Sequence, residues 1–138
     1  MEELISILHQ GNYSCVIKNG DEIRTFTQRG VADLFDLFHS EPAFLQGAII
    51  ADKVVGRAAF ALMLAGGVSH LYTDLISSKA LELLENNNLK VTYQTEVPII
   101  INRDKTDWCP LEKLCMEERS VPNILNIITN FINQIRAK

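Results

Sequence analysis

The chain has 138 residues, of which 47% are hydrophobic and 22% are charged. This length suits one domain whose core needs no metal or disulfide support. The formal net charge of −4 argues against the broad basic surface of proteins that bind nucleic acid or anionic membranes. We therefore expect a single domain over residues 1–138, with neither nucleic acid nor a membrane as a partner.

Three cysteines, in unrelated segments, do not form the even set of a secreted disulfide framework. The N-terminal sequence has no basic segment followed by a long apolar run, so no signal peptide is predicted. The longest apolar stretch, residues 58–65, is too short for a bilayer. These features predict a cytoplasmic protein.

Helical and strand-like hydrophobic patterns alternate along the chain. The predicted elements, in chain order, are a helix at residues 2–9, a hairpin of strands at 13–18 and 22–26, a helix containing 31–38, a strand at 47–51, a helix at 54–65, a strand at 68–73, a helix containing 80–84, extended segments at 90–93 and 97–101, a helix at 109–118 and a helix at 121–135.

Turn and capping residues mark several boundaries. Asn19-Gly20 accepts the positive φ angles of a tight hairpin turn, and Gly66-Gly67 is a natural helix stop. Serines at 77 or 78 and at 120 are predicted N-caps. Strand–helix–strand alternation implies right-handed crossovers between parallel strands, next to the antiparallel hairpin. The predicted fold is α/β, a three-layer α/β/α sandwich around a mixed sheet.

The segment at residues 102–113 is the strongest candidate site, because a polar loop leads directly into a helix start. Proline suits the first helical position, so Pro110 would place Cys109 at a helix N-terminus, where the dipole lowers a thiol's pKa. Cys109 is then a candidate nucleophile, and Glu112 a candidate proton carrier. The alternatives are that Cys109 packs in the core and that Glu112 only caps its helix. Cys15 and Cys115 are expected to lie in the core.

A second group of candidates surrounds the predicted helix at 54–65. Asp52 would be its N-cap, and Lys53 and Arg57, four residues apart, would share one face and bind a phosphate or carboxylate. Asn102 and Arg103 follow the last strand, where α/β sheets bind ligands. The alternative for the basic pair is a solvated helix face.

Two segments carry a family resemblance: residues 47–59, Gly-Ala-Ile-Ile-Ala-Asp-Lys-Val-Val-Gly-Arg-Ala-Ala, and residues 97–113, with Asn102-Arg103 and Cys109-Pro110-Leu111-Glu112. Over nearly its whole length the chain resembles a family of small prokaryotic proteins of unknown function with the cytidine-deaminase-like fold. The resemblance implies the cytidine-deaminase-like fold. Proteins of that fold include some that bind nucleotide-like ligands without zinc.

Zinc deaminases of that fold place His/Cys-x-Glu at one helix start and Pro-Cys-x-x-Cys at the next. The corresponding starts in this chain are predicted at residues 52–55 and 77–80, and neither contains His or Cys. We therefore expect no bound metal and no cofactor.

Two functions follow as hypotheses. The first is a metal-free pocket for a small anionic or nucleotide-like ligand, lined by Asp52, Lys53, Arg57, Asn102 and Arg103, with thiol chemistry at Cys109 assisted by Glu112. The alternative is a non-enzymatic interaction or regulatory module, a homodimer formed through the last helix and the helix of Phe35 and Phe38.

Overall fold

A five-stranded mixed sheet organises the protein, whose computed structural model describes residues 1–28, 31–84, 89–100 and 110–137. The strand order is β2-β1-β3-β4-β5. β1 runs antiparallel to both of its neighbours, whereas β3, β4 and β5 are parallel. The strands are β1 (Cys15–Asn19), β2 (Glu22–Phe26), β3 (Ile49–Val55), β4 (His70–Ser77) and β5 (Lys90–Val97).

Helices cover both faces of this sheet. They are α1 (Glu2–Gln10), α2 (Ala32–Ser40), α3 (Pro42–Leu45), α4 (Arg57–Gly66), α5 (Ser78–Leu81) with a following 3₁₀ turn (Glu82–Leu84), α6 (Pro110–Cys115) and α7 (Val121–Arg136). No helix in the described ranges is both long and apolar enough to cross a membrane.

Two hydrophobic clusters lie on opposite faces because side chains alternate along each strand. On one face, Leu4 and Leu8 of α1 pack with Val16 of β1 and Tyr72 of β4. The larger cluster contains the adjacent strand residues, the apolar side chains of α4 and the inward faces of α2, α6 and α7. The predicted mixed α/β architecture is confirmed.

The helix faces assigned to a dimer interface belong to this larger cluster. Phe35 of α2 is buried, Phe38 packs against the cluster, and Ile124 and Ile128 of α7 are fully buried. These side chains stabilise the protein's own core, and the homodimer through the two helices stays a prediction.

Several local signals are confirmed. Gly20 has φ +61° in the hairpin turn, and Gly67 ends α4 with φ +79°. The hydroxyls of Ser77 and Ser120 each accept a hydrogen bond from the backbone N–H three residues later, so both are N-caps.

The helix predicted over residues 54–65 begins later, at Arg57. Val54 and Val55 instead extend β3, and both pair with residues of β4. Their β-branched side chains suit a strand. Asp52 is consequently a strand residue, its predicted N-cap role is wrong, and Gly56 holds that position.

The two extended segments predicted at 90–93 and 97–101 are also different in the structure. A single strand, β5, includes the polar residues between them and ends before Pro98. The helix predicted at residues 109–118 corresponds to α6, which is shorter.

Candidate functional site

A cavity of about 730 Å³ lies at the carboxyl-terminal end of β3, between the sheet and helices α2, α6 and α7. Its wall includes Cys15 from β1, Asp52 from β3, Asp33 from α2, Glu112 from α6 and Ile132 from α7. Small-molecule sites have volumes of roughly 300–1,000 Å³ and are mostly apolar with a few convergent polar groups. The cavity matches that description.

Asp52 is a buried carboxyl group in this wall. It lies directly opposite Cys15 in the antiparallel β1–β3 pair, and it accepts a hydrogen bond from the Val54 backbone N–H at 3.2 Å. Burial raises the pKa of Asp52 to about 7, although hydrogen bonds from the backbone and from Cys15 act in the opposite direction. Near neutral pH the group therefore exists in both protonation states.

Cys15 contributes a thiol that is 6% exposed. Burial raises its pKa well above the ordinary value, and the neighbouring Asp52 charge and hydrogen bond raise it further. Cys15 is thus a protonated hydrogen-bond donor to Asp52 and a poor nucleophile. The predicted core location of Cys15 is confirmed, but the residue also faces the cavity.

Asp33 adds a second carboxylate near the start of α2. It accepts hydrogen bonds from the backbone N–H and the side-chain amide of Gln28, at 3.2 and 2.8 Å. Burial is the main cause of a raised pKa at Asp33. The hydrogen bonds fix this carboxylate on the cavity wall.

Glu112 is the third carboxylate of the wall, and it is only 7% exposed. It accepts a hydrogen bond from the Ala58 backbone N–H at 3.3 Å and one from the Ser77 hydroxyl at 3.5 Å. These two donors belong to the starts of α4 and α5, where a negative charge is favoured by the helix dipole. Glu112 therefore joins α6 to two helix N-termini at once.

Arg57 is the first residue of α4, and its side chain is only 1% exposed. Its guanidinium donates to the carbonyl of Glu118 at 2.6 and 3.0 Å, to the carbonyl of Lys79, and to the carboxylate of Glu82 at 3.0 Å. These partners occupy the planar donor set of the side chain. Arg57 holds α4 against α5 and the segment before α7.

The predicted pairing of Lys53 and Arg57 on one helix face is wrong, because Lys53 is on β3 and Arg57 is on α4. Lys53 lines the cavity and donates to the side chain of Asn12 at 2.5 Å. Arg57 is directed into the protein. The structure does not bring the two cations together at one anion site.

Asn102, Arg103 and Cys109 lie outside the described residues, so their predicted roles stay predictions. Ile100 and Leu111, which flank that segment in the sequence, both line the cavity. Within the described ranges, no group of three or more His, Cys, Asp or Glu side chains is placed to hold a metal ion.

Comparison with protein families identifies the chain. Residues 3–132 match the model of a domain of unknown function, DUF1893. The chain belongs to the DUF1893 family. A crystal structure of a DUF1893 family protein, TM1506 from Thermotoga maritima, solved at 2.70 Å resolution, is 26% identical to it, with a TM-score of 0.86 over 94% of this chain and 87% of the Thermotoga chain. No curated protein matches this DUF1893 chain.

Sequence reasoning missed two wall residues of the DUF1893 domain, Asp33 and Cys15. Cys15 faces Asp52 only because β1 pairs with β3 in one register, and no local pattern specifies that register. Asp33 in a first helical turn is typical of a dipole-compensating residue, so its place in the cavity carried no separate signal.

Proposed function

We propose that this DUF1893 domain binds a small nucleotide-like molecule, with the base edge directed at the carboxyl groups of the cavity. The observation that supports it is the convergence of Asp33, Asp52 and Glu112 on one cavity of small-molecule size. Carboxylates accept hydrogen bonds, and nucleobases present N–H donors along their edges. Apolar neighbours such as Ile132 and Leu111 suit the faces of a planar ring.

Charge favours the base of such a ligand over a free anion. Of the charged side chains that line the described wall, three are acidic and Lys53 alone is basic. A phosphate group bound by itself would meet mostly repulsion in this wall. Any anionic part of the ligand belongs near Lys53, and the predicted partner Arg103 would act with it.

A cytidine-deaminase-like fold is part of the proposal. The hairpin, the parallel strands and the two helix starts that follow β3 and β4 support it. The residues at those starts, Gly56-Arg57 and Ser77-Ser78, do not fit a zinc ion, which needs thiolate or imidazole ligands. The carboxylate of Glu112 adjoins both starts instead.

Thiol chemistry, if the domain is an enzyme, is assigned to Cys109 and not to Cys15, whose raised pKa disfavours the thiolate. Glu112 also positions α6 through the hydrogen bonds that it accepts from Ala58 and Ser77, and its remaining lone pairs can accept from the ligand. A cytoplasmic location fits a Cys15 thiol that is in no disulfide.

The proposal is tested by isothermal titration calorimetry with adenosine, guanosine, cytidine and inorganic phosphate as separate probes. We expect at least one nucleoside to bind and phosphate alone to fail. Asp52→Asn should weaken nucleoside binding at least about tenfold, because one carboxyl group is removed from the wall. Asp21→Asn is the matched control, since Asp21 is exposed in the hairpin turn, and it should bind like the native chain.

Native mass spectrometry of the purified protein provides a second measurement, in which a retained nucleoside or nucleotide would add a defined mass to the chain. Absence of binding for all three nucleosides at millimolar concentration contradicts the proposal. Equal affinities of the Asp52→Asn and Asp21→Asn variants would contradict the assignment of Asp52.

A further inference from the structure

The rim of the cavity contains a lysine whose position is set by two neighbouring residues. The Lys53 backbone N–H donates to the carbonyl of Ser14 at 3.1 Å, which joins this part of β3 to the residue just before β1. The Lys53 ammonium group donates to the side-chain oxygen of Asn12 at 2.5 Å. Asn12, Ser14 and Lys53 all line the cavity. The lysine is therefore held at the rim through both its backbone and its side chain.

Asn12 has an unusual backbone conformation for its residue type. It follows the end of α1 with φ +53°, and among the described residues it is the only non-glycine residue with a positive φ. The backbone N–H of Tyr13 donates to the carbonyl of Leu8 at 3.2 Å, which is the outer hydrogen bond of a Schellman helix end. Glycine is the usual residue at this left-handed position. The helix end therefore needs no side chain at position 12, and the amide of Asn12 serves another purpose, the contact with Lys53.

Both side chains keep hydrogen-bond donors for a ligand. An ammonium group has three N–H donors and no acceptor, so its contact with Asn12 uses the amide oxygen and one lysine donor. Two N–H donors of Lys53 and the NH₂ group of the Asn12 amide are left for other acceptors. A positive charge beside a neutral donor suits the oxygens of a phosphate group, because charge-assisted hydrogen bonds are the stronger kind.

The cavity extends from the buried carboxyl groups to this rim. Side chains alternate along a strand, so Asp52 and Lys53 leave β3 on opposite sides. Both of them line the cavity, which therefore continues around the end of the sheet. Asp52 is buried, Lys53 is half-buried and Asn12 is exposed. An elongated ligand suits this space, with hydrogen-bond donors at its buried end and an anionic group at its solvent end.

We propose that the ligand is a nucleoside 5′-monophosphate, whose phosphate binds Lys53 and the Asn12 amide while its base lies against the buried carboxyl groups. This inference rests on the proposed function and adds the class of ligand to it. One phosphate suits the charge of the site, because Lys53 is the only basic side chain in the described wall and the three acidic residues repel further phosphates. Asn12 orients the ammonium group and adds a neutral donor.

Calorimetric titration of adenosine, guanosine and cytidine, each beside its 5′-monophosphate, tests the inference. For the base that binds, we expect the monophosphate to bind at least about tenfold more tightly than the nucleoside. Lys53→Gln should bring this affinity ratio close to one, since the positive charge is removed. Lys90→Gln is the matched control, because Lys90 is an exposed lysine at the opposite end of the sheet, and it should keep the native ratio.

Asn12→Gly separates phosphate recognition from stability. Glycine suits the left-handed position, so the variant should unfold in urea at or above the native midpoint. Its affinity ratio should nevertheless fall at least about threefold, because Lys53 loses its partner and the phosphate loses a donor. A native ratio in this variant contradicts the role of Asn12.

The remaining outcomes distinguish the inference from the proposed function. Equal affinities of the native chain for a nucleoside and its monophosphate overturn the inference and leave the proposed function standing. A native ratio in Lys53→Gln overturns the assignment of the phosphate to the rim. Absence of binding for nucleosides and monophosphates alike contradicts the proposed function itself.

Discussion

The carboxylate of Glu112 lies directly over Gly56, so that a Cβ built at position 56 would be 2.5 Å from the Glu112 carboxyl carbon. Gly56 has φ −99°, which any residue adopts, so this glycine is required for space and not for backbone freedom. The contact brings α6 against the end of β3 at the point where the cavity wall turns from sheet to helix.

Gly56→Ala should lower the free energy of unfolding by about 2 kcal/mol, because the added methyl group displaces the Glu112 carboxylate. Urea denaturation measures the loss. In a Glu112→Ala background the same substitution should cost markedly less, since the space is then open. Additive losses in the double variant would show that the steric contact is not the cause.

Glu112→Gln should cost about 1 kcal/mol, because an acceptor oxygen remains but the negative charge at two helix starts is lost. Glu112→Ala should cost more, about 3 kcal/mol, since the Ala58 N–H also loses its partner. Thermal and urea unfolding of both variants check this order. Glu117→Gln, at an exposed position just after α6, provides the matched charge change.

Arg57→Met should lower the free energy of unfolding by about 3 kcal/mol, since the carbonyls of Lys79 and Glu118 lose their donor. Glu82→Gln removes the charged partner alone. The Glu82 side chain is 48% exposed, so that change should cost about 0–1 kcal/mol. Similar losses in the two variants would contradict the view that the carbonyl contacts are the important ones.

Asp52 should make stability depend on pH. Its pKa is raised from 3.8 to about 7 in the folded state, so the folded chain binds the extra proton and the unfolded chain does not. Ionisation therefore opposes folding increasingly as the pH rises from about 4 to 7. Measured against Asp52→Asn, the native chain should lose about 2 kcal/mol of unfolding free energy between pH 5 and 7. If the difference in unfolding free energy between the native chain and Asp52→Asn did not change with pH, the raised pKa of a buried Asp52 would be contradicted.

The thiols should differ in their rates of alkylation. Cys15 and Cys115 are buried, and the pKa of Cys15 is raised by burial and Asp52, so both should react with iodoacetamide slowly until the chain unfolds. Cys109 should react first if it is an exposed thiol at a helix N-terminus. Peptide mass mapping after a timed exposure gives the order. Rapid labelling of Cys15 in native protein would contradict its assignment as a buried donor.

The sequence predicted elements better than it predicted their ends. The hairpin, the stop at Gly67 and the caps at Ser77 and Ser120 depend on nearby residues, so local chemistry was sufficient. The start of α4 depends on the pairing of Val54 and Val55 with β4, which tertiary structure decides. β5 was divided in two because its exposed polar residues lack the alternation of a half-buried strand.

The site was predicted in part for a related reason. Asp52, Lys53 and Glu112 do line one cavity, as expected from residues near strand ends and helix starts. Arg57 does not, because its partners at positions 79, 82 and 118 are remote in sequence. Glu112 caps α4 by a hydrogen bond from Ala58, 54 positions earlier in the chain, and no spacing pattern in the sequence predicts such a contact.

The residues of the cavity wall also determine the stage of protein synthesis at which a ligand can first bind. Cys15 leaves the ribosome well before Ile132 of α7, and both residues face the same space. A nascent chain that ends before α7 has the strands of the sheet but not the complete enclosure. Binding energy therefore becomes available only after nearly the whole domain has been translated, and a ligand would stabilise finished molecules without assisting the early stages of their folding.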